Sequence, residues 1–364
     1  MSIVQLVPML PPAIDGLGDY ALNLARQFCQ EFGLETQFIV GNPTWEGARE
    51  MEGFPISVLS ENSRNAVLSS LLNVCPSVTT VLLHYVGYGY AKRGCPAWLV
   101  EGLQQWRTTG ANRFLVTMFH ELYAIGPPWT SSFWLSPLQK NLVMRLAKLS
   151  DRCLTSHERY ADDLVKLSHG KHTQILTLPV FSNLGEPKQV PTLAERQRQL
   201  VVFGTPSNRL RVYQNALAEL ELTCHLLSIE KILDIGLSTS LSLSTVNGVP
   251  VVKMGKLAAD EISALLLDSC AGFFNYNPDC LAKSTIFAAY CAHGILPVSP
   301  RSSIFSVDGV IAGTHYWIPD SQQKRLNLLK KLQVIADSAY AWYHTHNLSV
   351  QTRILFTHLN SLSN

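Results

Sequence analysis

Short β-rich runs alternate with helix-length segments along most of this chain, and the alternation restarts near residue 200. Strand, helix, strand repeated in this way builds parallel α/β sheets, because each crossover helix covers a sheet face. The first half predicts strands near Ile3 to Val7, Thr36 to Val40, Thr79 to Leu83, Phe114 to Met118, Arg152 to Thr155 and Gln174 to Leu178. Helices are predicted between them at Leu17 to Phe32, Pro96 to Arg107, Ser136 to Leu149 and Glu158 to Leu167. The second half predicts strands near Leu200 to Phe203, Ile232 to Ile235, Val249 to Lys253, Ala271 to Phe274 and Ile295 to Val298, and then two helices, Gln322 to His344 and Ser349 to Asn360.

A length of 364 residues exceeds the size at which one core keeps growing, so two domains are expected. Residues 179–199 are polar and carry Gly185, Pro187 and Pro191 without a sustained apolar period, which reads as a linker. The reading is α/β, two doubly wound Rossmann-like domains with a cleft between them, an N-terminal one over 1–180 and a C-terminal one over 181–345. A formal charge of +2 gives no support to a nucleic-acid surface, and 47% hydrophobic against 15% charged residues points to large buried cores.

Eight cysteines are scattered without a Cys-x-x-Cys pair or a Cys/His cluster, which implies a reducing compartment and no structural zinc. The apolar start, Ile3 to Leu10, lacks a basic flank and is broken by Pro8, Pro11 and Pro12, so no signal peptide is expected. No window reaches the roughly 18 apolar residues of a membrane span, so a cytoplasmic protein is expected, with peripheral membrane contact left open.

In open parallel sheets ligands sit beyond the carboxyl ends of the strands. Residues 270–298 read as a strand, a polar loop through Asn275, Pro278 and Asp279, a helix start with Lys283, Ser284 and Thr285, and a further strand after His293-Gly294. The unpaired amides of a helix start carry partial positive charge, and a lysine and two hydroxyls beside them suit a diphosphate. Gly204, ending Leu200 to Phe203, is followed by Arg209 and Arg211, cations suited to neutralising a departing diphosphate. In the first half, His120 and Glu121 follow a strand, and His84 ends another, followed by Tyr85, Gly87, Tyr88, Gly89 and Tyr90. His120 reads as a donor-sugar contact or proton handler, with Glu121 as an orienting or acceptor-binding group, and a histidine satisfied by loop carbonyls is the alternative. His84, Tyr85, Tyr88 and Trp129 read as an acceptor platform of aromatic faces and polar tips, with core packing as the alternative for each aromatic.

Gly16-Leu17-Gly18-Asp19-Tyr20-Ala21 fits the dinucleotide pattern G-x-G-x-x-A. The glycines come well after the strand end at Val7, however, and the second strand ends Ile39-Val40-Gly41-Asn42 without a ribose-binding carboxylate, which weakens an oxidoreductase reading.

These segments together resemble the GT-B type of nucleotide-sugar glycosyltransferase, in particular the large group with retaining members. The resemblance rests on Gly16 and Gly18 in a glycine loop, Leu200 to Thr205 with Arg209 and Arg211, Gly255 and Leu257 before Glu261, and the strand–loop–helix–Ala-His-Gly–strand run ending at Gly294. It implies a sugar donor held by Gly16, Gly18, Gly204, Arg209, Arg211, Asp279, Lys283, Ser284 and Thr285. It also implies a glycan, lipid-linked or small-molecule acceptor near His84 and His120, no metal or other cofactor, and a C-terminal segment, 346–364, returning to the first domain after an aromatic pivot at Trp342, Tyr343 and His346. The family's two glutamates eight residues apart fall here on Leu281 and Ala289, so the pair is missing and a catalytically inactive binding protein stands as the alternative.

Overall fold

The computed structural model describes residues 2–13, 15–74, 79–240, 243–323 and 327–363. The chain divides into two compact units, residues 1–178 with 351–364, and residues 179–350.

In the first unit the elements are β1 (Ser2–Val7), α1 (Gly16–Phe32), β2 (Glu35–Val40), β3 (Glu50–Met51), β4 (Phe54–Val58), α2 (Arg64–Val74), β5 (Thr79–Tyr85), α3 (Gly87–Tyr90), α4 (Ala97–Thr108), β6 (Arg113–Phe119), α5 (Ser131–Leu149), β7 (Arg152–Thr155), α6 (Glu158–Leu167) and β8 (Leu176–Thr177). Its eight-stranded sheet runs β3-β4-β2-β1-β5-β6-β7-β8, and every pairing is parallel except β3 with β4. Both faces are covered, so strands such as β6 are buried along nearly their whole length. Helix α1 shows how sequence sets one element. Asp15 caps its start through Oδ1, Gly33 ends it in the left-handed region, and Tyr20, Ala21, Leu24, Ala25 and Phe28 form the buried stripe.

The second unit contains β9 (Gln197–Phe203), α7 (Pro206–Asn215), α8 (Leu217–Leu227), β10 (Lys231–Ile235), β11 (Thr245–Val246), β12 (Val249–Gly255), α9 (Ala259–Asp268), β13 (Ser269–Phe273), α10 (Thr285–Ala292), β14 (Leu296–Val298) and α11 (Leu328–His344). The last helix, α12 (Leu348–Ser363), begins in this unit, and its residues from Gln351 onward belong to the first. Six strands run in the order β11-β12-β10-β9-β13-β14, parallel apart from β11. Helix α10 is apolar on all sides and buried from Phe287 to Ala292. Gly272 of β13 makes room for it, since a Cβ there would lie 2.5 Å from the Tyr290 ring.

The expected linker is packed into the second unit. Val180 N–H donates to Ala282 O at 2.8 Å, and Ser182 N–H donates to Tyr343 Oη at 2.9 Å. Two short antiparallel strands, β3 and β11, are absent from the sequence reading. Their turns, Glu52-Gly53 and Asn247-Gly248, place all four residues at positive φ, between 47° and 83°, and Asn-Gly is a strong hairpin signal that would have found the second. Helix α5 begins five residues earlier than expected, at Ser131, and Gly87 to Tyr90 form a helical turn rather than a loop. Part of the start expected for the first tail helix, residues 324–326, lies outside the described residues.

Candidate functional site

In the first unit, β5 and β6 are adjacent and in register, so His84 ends up beside Met118 and His120 follows directly after β6. His120 N–H donates to Tyr85 O at 3.0 Å, which fixes the backbone at this strand mouth. His84 Nδ1 lies 3.2 Å from His120 Nε2, and His84 Nε2 lies 2.8 Å from Gln5 Oε1. His84 thus bridges Gln5 and His120 through its two ring nitrogens. Burial, aided by the neighbouring His120, holds the His84 pKa well below that of a free imidazole, so it stays neutral. Tyr20 stands edge-on to both rings, at 5.9 and 5.2 Å. Asp15, at the cap of α1, has its pKa raised by burial, although amide hydrogen bonds oppose the shift.

This geometry corrects three expectations. His84 is completely buried and contacts His120 instead of meeting an acceptor, the kind of contact that was one of the two parts expected of Glu121. Tyr85 points to the opposite sheet face, is completely buried in the core and packs edge-on to Phe119 at 5.6 Å. Gly18 serves the chain's own packing, since a Cβ there would lie 2.6 Å from Met9 O. Gly18→Ala is therefore expected to cost about 1–3 kcal/mol by overpacking, read as a lowered urea midpoint, and an unchanged midpoint would show that residues 9–10 yield freely.

Glu121 and Tyr88 line a common cavity of about 250 Å³, together with Tyr123, Gln139 and Tyr160. Gln139 helps hold it, donating from Nε2 to Tyr88 Oη at 3.2 Å and to Arg93 O at 2.9 Å. Gly16 is the exposed first residue of α1, and Trp129 lies on the loop before α5 and outside this lining. A wider cavity, about 990 Å³, lies at β7, α6 and β8 around Arg152, Asp162 and His172, and no residue singled out from the sequence lines it.

In the second unit, three neighbouring parallel strands, β9, β10 and β12, end at or just before Gly204, Gly236 and Gly255, with φ of 128°, 140° and 72°. Only glycine adopts these conformations freely, and a Cβ on Gly236 would lie 2.5 Å from Gly204 O. Gly204 also meets the first turn of α10, where its Cβ would lie 2.7 Å from Ile286 Cδ1. The sheet mouth and the helix start are thus one place in this unit. Ser284 is the cap of α10, accepting from Phe287 N–H at 3.2 Å, and Thr285 is its first residue. Lys283 ends the 3₁₀ turn Pro278–Lys283 just before the cap, and Asp279 in that turn accepts from Ser303 Oγ at 2.5 Å. The crevice between Asn208, Asn275, Tyr276 and Ser284 holds about 10 Å³, roughly one water.

The two arginines part company. Arg211 is exposed on α7 and bonded to Asn208 Oδ1. Arg209 is buried, pairs with Asp234 at 2.7 Å, donates from Nε to Gly204 O at 3.2 Å and from its other amino group to Leu237 O. The guanidinium expected to bind a diphosphate instead ties together the ends of β9 and β10. Sequence reading missed Lys253, Ser238 and Thr239, which share a polar cavity of about 70 Å³ with Arg209 and Asp234. The strand-end position of Lys253 is the signal that would have marked it.

The positions of the family's carboxylate pair, Leu281 and Ala289, are both buried, so neither side chain faces a ligand. Trp342, from the expected aromatic pivot, packs on His346 at 4.3 Å and on Phe287 at 5.5 Å. Among the described residues no group of three or more His, Cys, Asp or Glu is placed to hold a metal ion, and none of the seven described cysteines is bridged.

No protein-family model matches the sequence, and no curated protein matches it. Solved structures match it from end to end. A glycosyltransferase involved in avilamycin A biosynthesis is 12% identical, with 100% of this chain and 98% of that one covered and a TM-score of 0.54. An α,α-trehalose-phosphate synthase (UDP-forming) from Burkholderia vietnamiensis is 12% identical, with 99% of each chain covered and a TM-score of 0.60. A putative UDP-N-acetylglucosamine 2-epimerase from Listeria monocytogenes is 11% identical, covering 99% and 96%, with a TM-score of 0.52. Two parallel-sheet α/β units that match such structures over their whole length give this chain the GT-B fold.

Proposed function

We propose that this chain is a glycosyltransferase that moves a sugar from a nucleoside-diphosphate sugar to a glycan, lipid-linked or small-molecule acceptor. The observation that carries this reading is the meeting, in the second unit, of the glycine-ended strands with the start of α10, where Gly204 lies against Ile286. Amides at that helix start, with Lys283, Ser284 and Thr285 beside them, suit a diphosphate whose charge grows as the sugar departs. Arg211 and Asp279, in the same unit, are assigned to the same donor. Arg209 has a framework part, holding the strand ends from which the donor contacts project. Lys253, with Ser238 and Thr239, is added as a polar wall at the next strand mouth.

His120 is the candidate proton handler or donor-sugar contact. Its ring is aimed by the neutral His84, which is in turn held by Gln5. The cavity shared by Glu121 and Tyr88 is assigned to the acceptor, for which aromatic faces and a carboxylate give stacking and hydroxyl recognition. A departing diphosphate neutralised by these groups needs no metal.

A second reading, a GT-B protein that binds a nucleotide or glycan without turnover, is favoured by the apolar, buried Leu281 and Ala289. The fold is also shared with a structure described as a putative UDP-N-acetylglucosamine 2-epimerase.

The test is thermal unfolding against a panel of nucleoside diphosphates and nucleotide sugars, for the parent chain and for Lys283→Ala. A ligand that binds only the folded state at about 100 times its Kd adds about 2.7 kcal/mol. Stabilisation by one nucleotide family, reduced in Lys283→Ala, is the expected result, and slow release of free sugar from the stabilising donor distinguishes transfer chemistry from silent binding. No stabilisation by any nucleotide at saturation would end the donor-site assignment.

A further inference from the structure

In the first unit, the loop after β6 and the opening turns of α5 carry an apolar surface that the core does not use. Ile125, Trp129 and Trp134 are 87%, 85% and 72% exposed, and Phe133 and Leu138 are exposed as well. These side chains are organised together. Trp134 Nε1 donates to Pro128 O at 2.9 Å, which ties the helix to the loop, and the Phe133 and Trp134 rings stand edge to face at 5.3 Å. The core face of α5 is a separate stripe, Leu142, Val143, Leu146 and Ala147, so the exposed aromatics are additional to those needed for folding. Isolated exposed apolar residues are ordinary, but two tryptophans, a phenylalanine, an isoleucine and a leucine on one loop and helix start are not.

Along this loop and helix the charge in the sequence has one sign. From Leu122 to Ser150 the sequence contains Lys140, Arg145 and Lys148 and no carboxylate. Lys140 is exposed one turn beyond Pro137 on α5, with its ammonium 5.6 Å from the Tyr123 ring centre. The loop bearing Lys92 and Arg93, both exposed, is fastened to the same helix by the bond from Gln139 to Arg93 O. Two carboxylates lie beside this face: Glu121, which lines the neighbouring cavity, and Asp163 of α6, which accepts from Tyr123 Oη at 2.9 Å. Tryptophan favours the headgroup zone of a bilayer, where its apolar ring and its N–H are both accommodated, and surrounding lysines and arginines are drawn to anionic headgroups.

We propose that this face docks the protein on the surface of an anionic lipid bilayer, with Trp129, Trp134 and Ile125 in the headgroup zone and Lys92, Arg93 and Lys140 on the phosphates. The protein lies on the bilayer and does not span it, since among the described residues no helix is long and apolar enough to cross. The proposal is independent of any transferase reading, because its test uses no sugar substrate. On that reading it brings the adjoining Glu121–Tyr88 cavity close to a lipid-borne acceptor.

The experiment is co-sedimentation of the full chain with vesicles of phosphatidylcholine alone and of an equimolar mixture with phosphatidylglycerol, with sedimentation velocity run in parallel without lipid. Binding to the anionic vesicles is expected to fall about tenfold or more in Trp129→Ala/Trp134→Ala. Each charge reversal, Lys92→Glu or Lys140→Glu, is expected to cost at least about fivefold, on anionic vesicles only. All of these positions are exposed, so unchanged melting midpoints will show that the variants fold. Equal partitioning of the parent and the double tryptophan variant, or no binding to anionic vesicles by the folded parent, overturns the proposal. A dimer in the parent that the tryptophan double variant dissociates, without vesicle binding, would assign the face to a second copy of the chain instead.

Discussion

Arg209→Ala is expected to destabilise the second unit by about 3–5 kcal/mol, as large an effect as a single substitution in this chain should have. The guanidinium and the Asp234 carboxylate are 2% and 4% exposed and 2.7 Å apart, so truncation leaves an unpaired charge in the interior. It also removes the donors to Gly204 O and Leu237 O, the carbonyls that close the ends of β9 and β10. The pair itself is a weaker source of stability than this loss suggests, because both charges were desolvated to form it. Arg209→Met/Asp234→Leu should therefore recover part of the loss, leaving a deficit from the two carbonyls. Urea midpoints for the three chains decide the matter. If Arg209→Ala unfolds within about 0.5 kcal/mol of the parent, the arginine is dispensable to the framework and available to a ligand.

Acid is expected to destabilise the second unit well above the pH at which most carboxylates protonate. Burial pushes the His293 and His346 imidazoles down to about 4, with Arg196 beside the first and His344 beside the second adding to the shift. His293 is held neutral by geometry as well. Its Nδ1–H donates to Ala289 O at 2.7 Å, and its Nε2 is placed to accept from Ser263 Oγ at 2.8 Å. Above the ordinary imidazole pKa of about 6.5 both folded and unfolded chains carry these rings neutral, so no penalty exists. Below it the unfolded chain takes up protons that the folded chain refuses, and stability is lost down to about pH 4. By about pH 5 each ring costs on the order of 2 kcal/mol, about 4 together. In the first unit His84 acts in the same direction. His346→Phe, which keeps a ring against Trp342, should flatten the decline between about pH 6.5 and 5 by its share. The same decline in His346→Phe and in His293→Gln would refute the assignment.

Much of the fold was legible because hydrophobic pattern and punctuation are local. Strand β7 and helix α6 have the predicted bounds, Arg152–Thr155 and Glu158–Leu167, and α1 starts one residue from its expected position because the Asp15 cap and the Gly33 stop are written in the chain. Strands β3 and β11 escaped because they bury almost no apolar period of their own and exist through pairing with β4 and β12. At the candidate site, placing His120, Glu121, Gly204, Lys283 and Ser284 at strand and helix ends was possible from order alone.

What order cannot supply is which way each side chain faces and what lies behind it. Alternation along β5 was visible, but both faces of this sheet are covered, so His84 and Tyr85 are equally buried and neither is a surface platform. Arg209 and Arg211, two residues apart on α7, look equivalent as charges. Only the presence of Asp234, 25 residues away on the next strand, makes one of them framework and leaves the other exposed. The sequence by itself determined two runs of alternating strands and helices, their caps and turns, and the strand ends where chemistry belongs, because each depends on neighbours within a few residues. The tertiary structure alone decided the His84–His120 contact, the buried Arg209–Asp234 pair and the exposed aromatic face beside Lys140, because each depends on contacts between segments far apart in the chain or on which surfaces the core leaves uncovered.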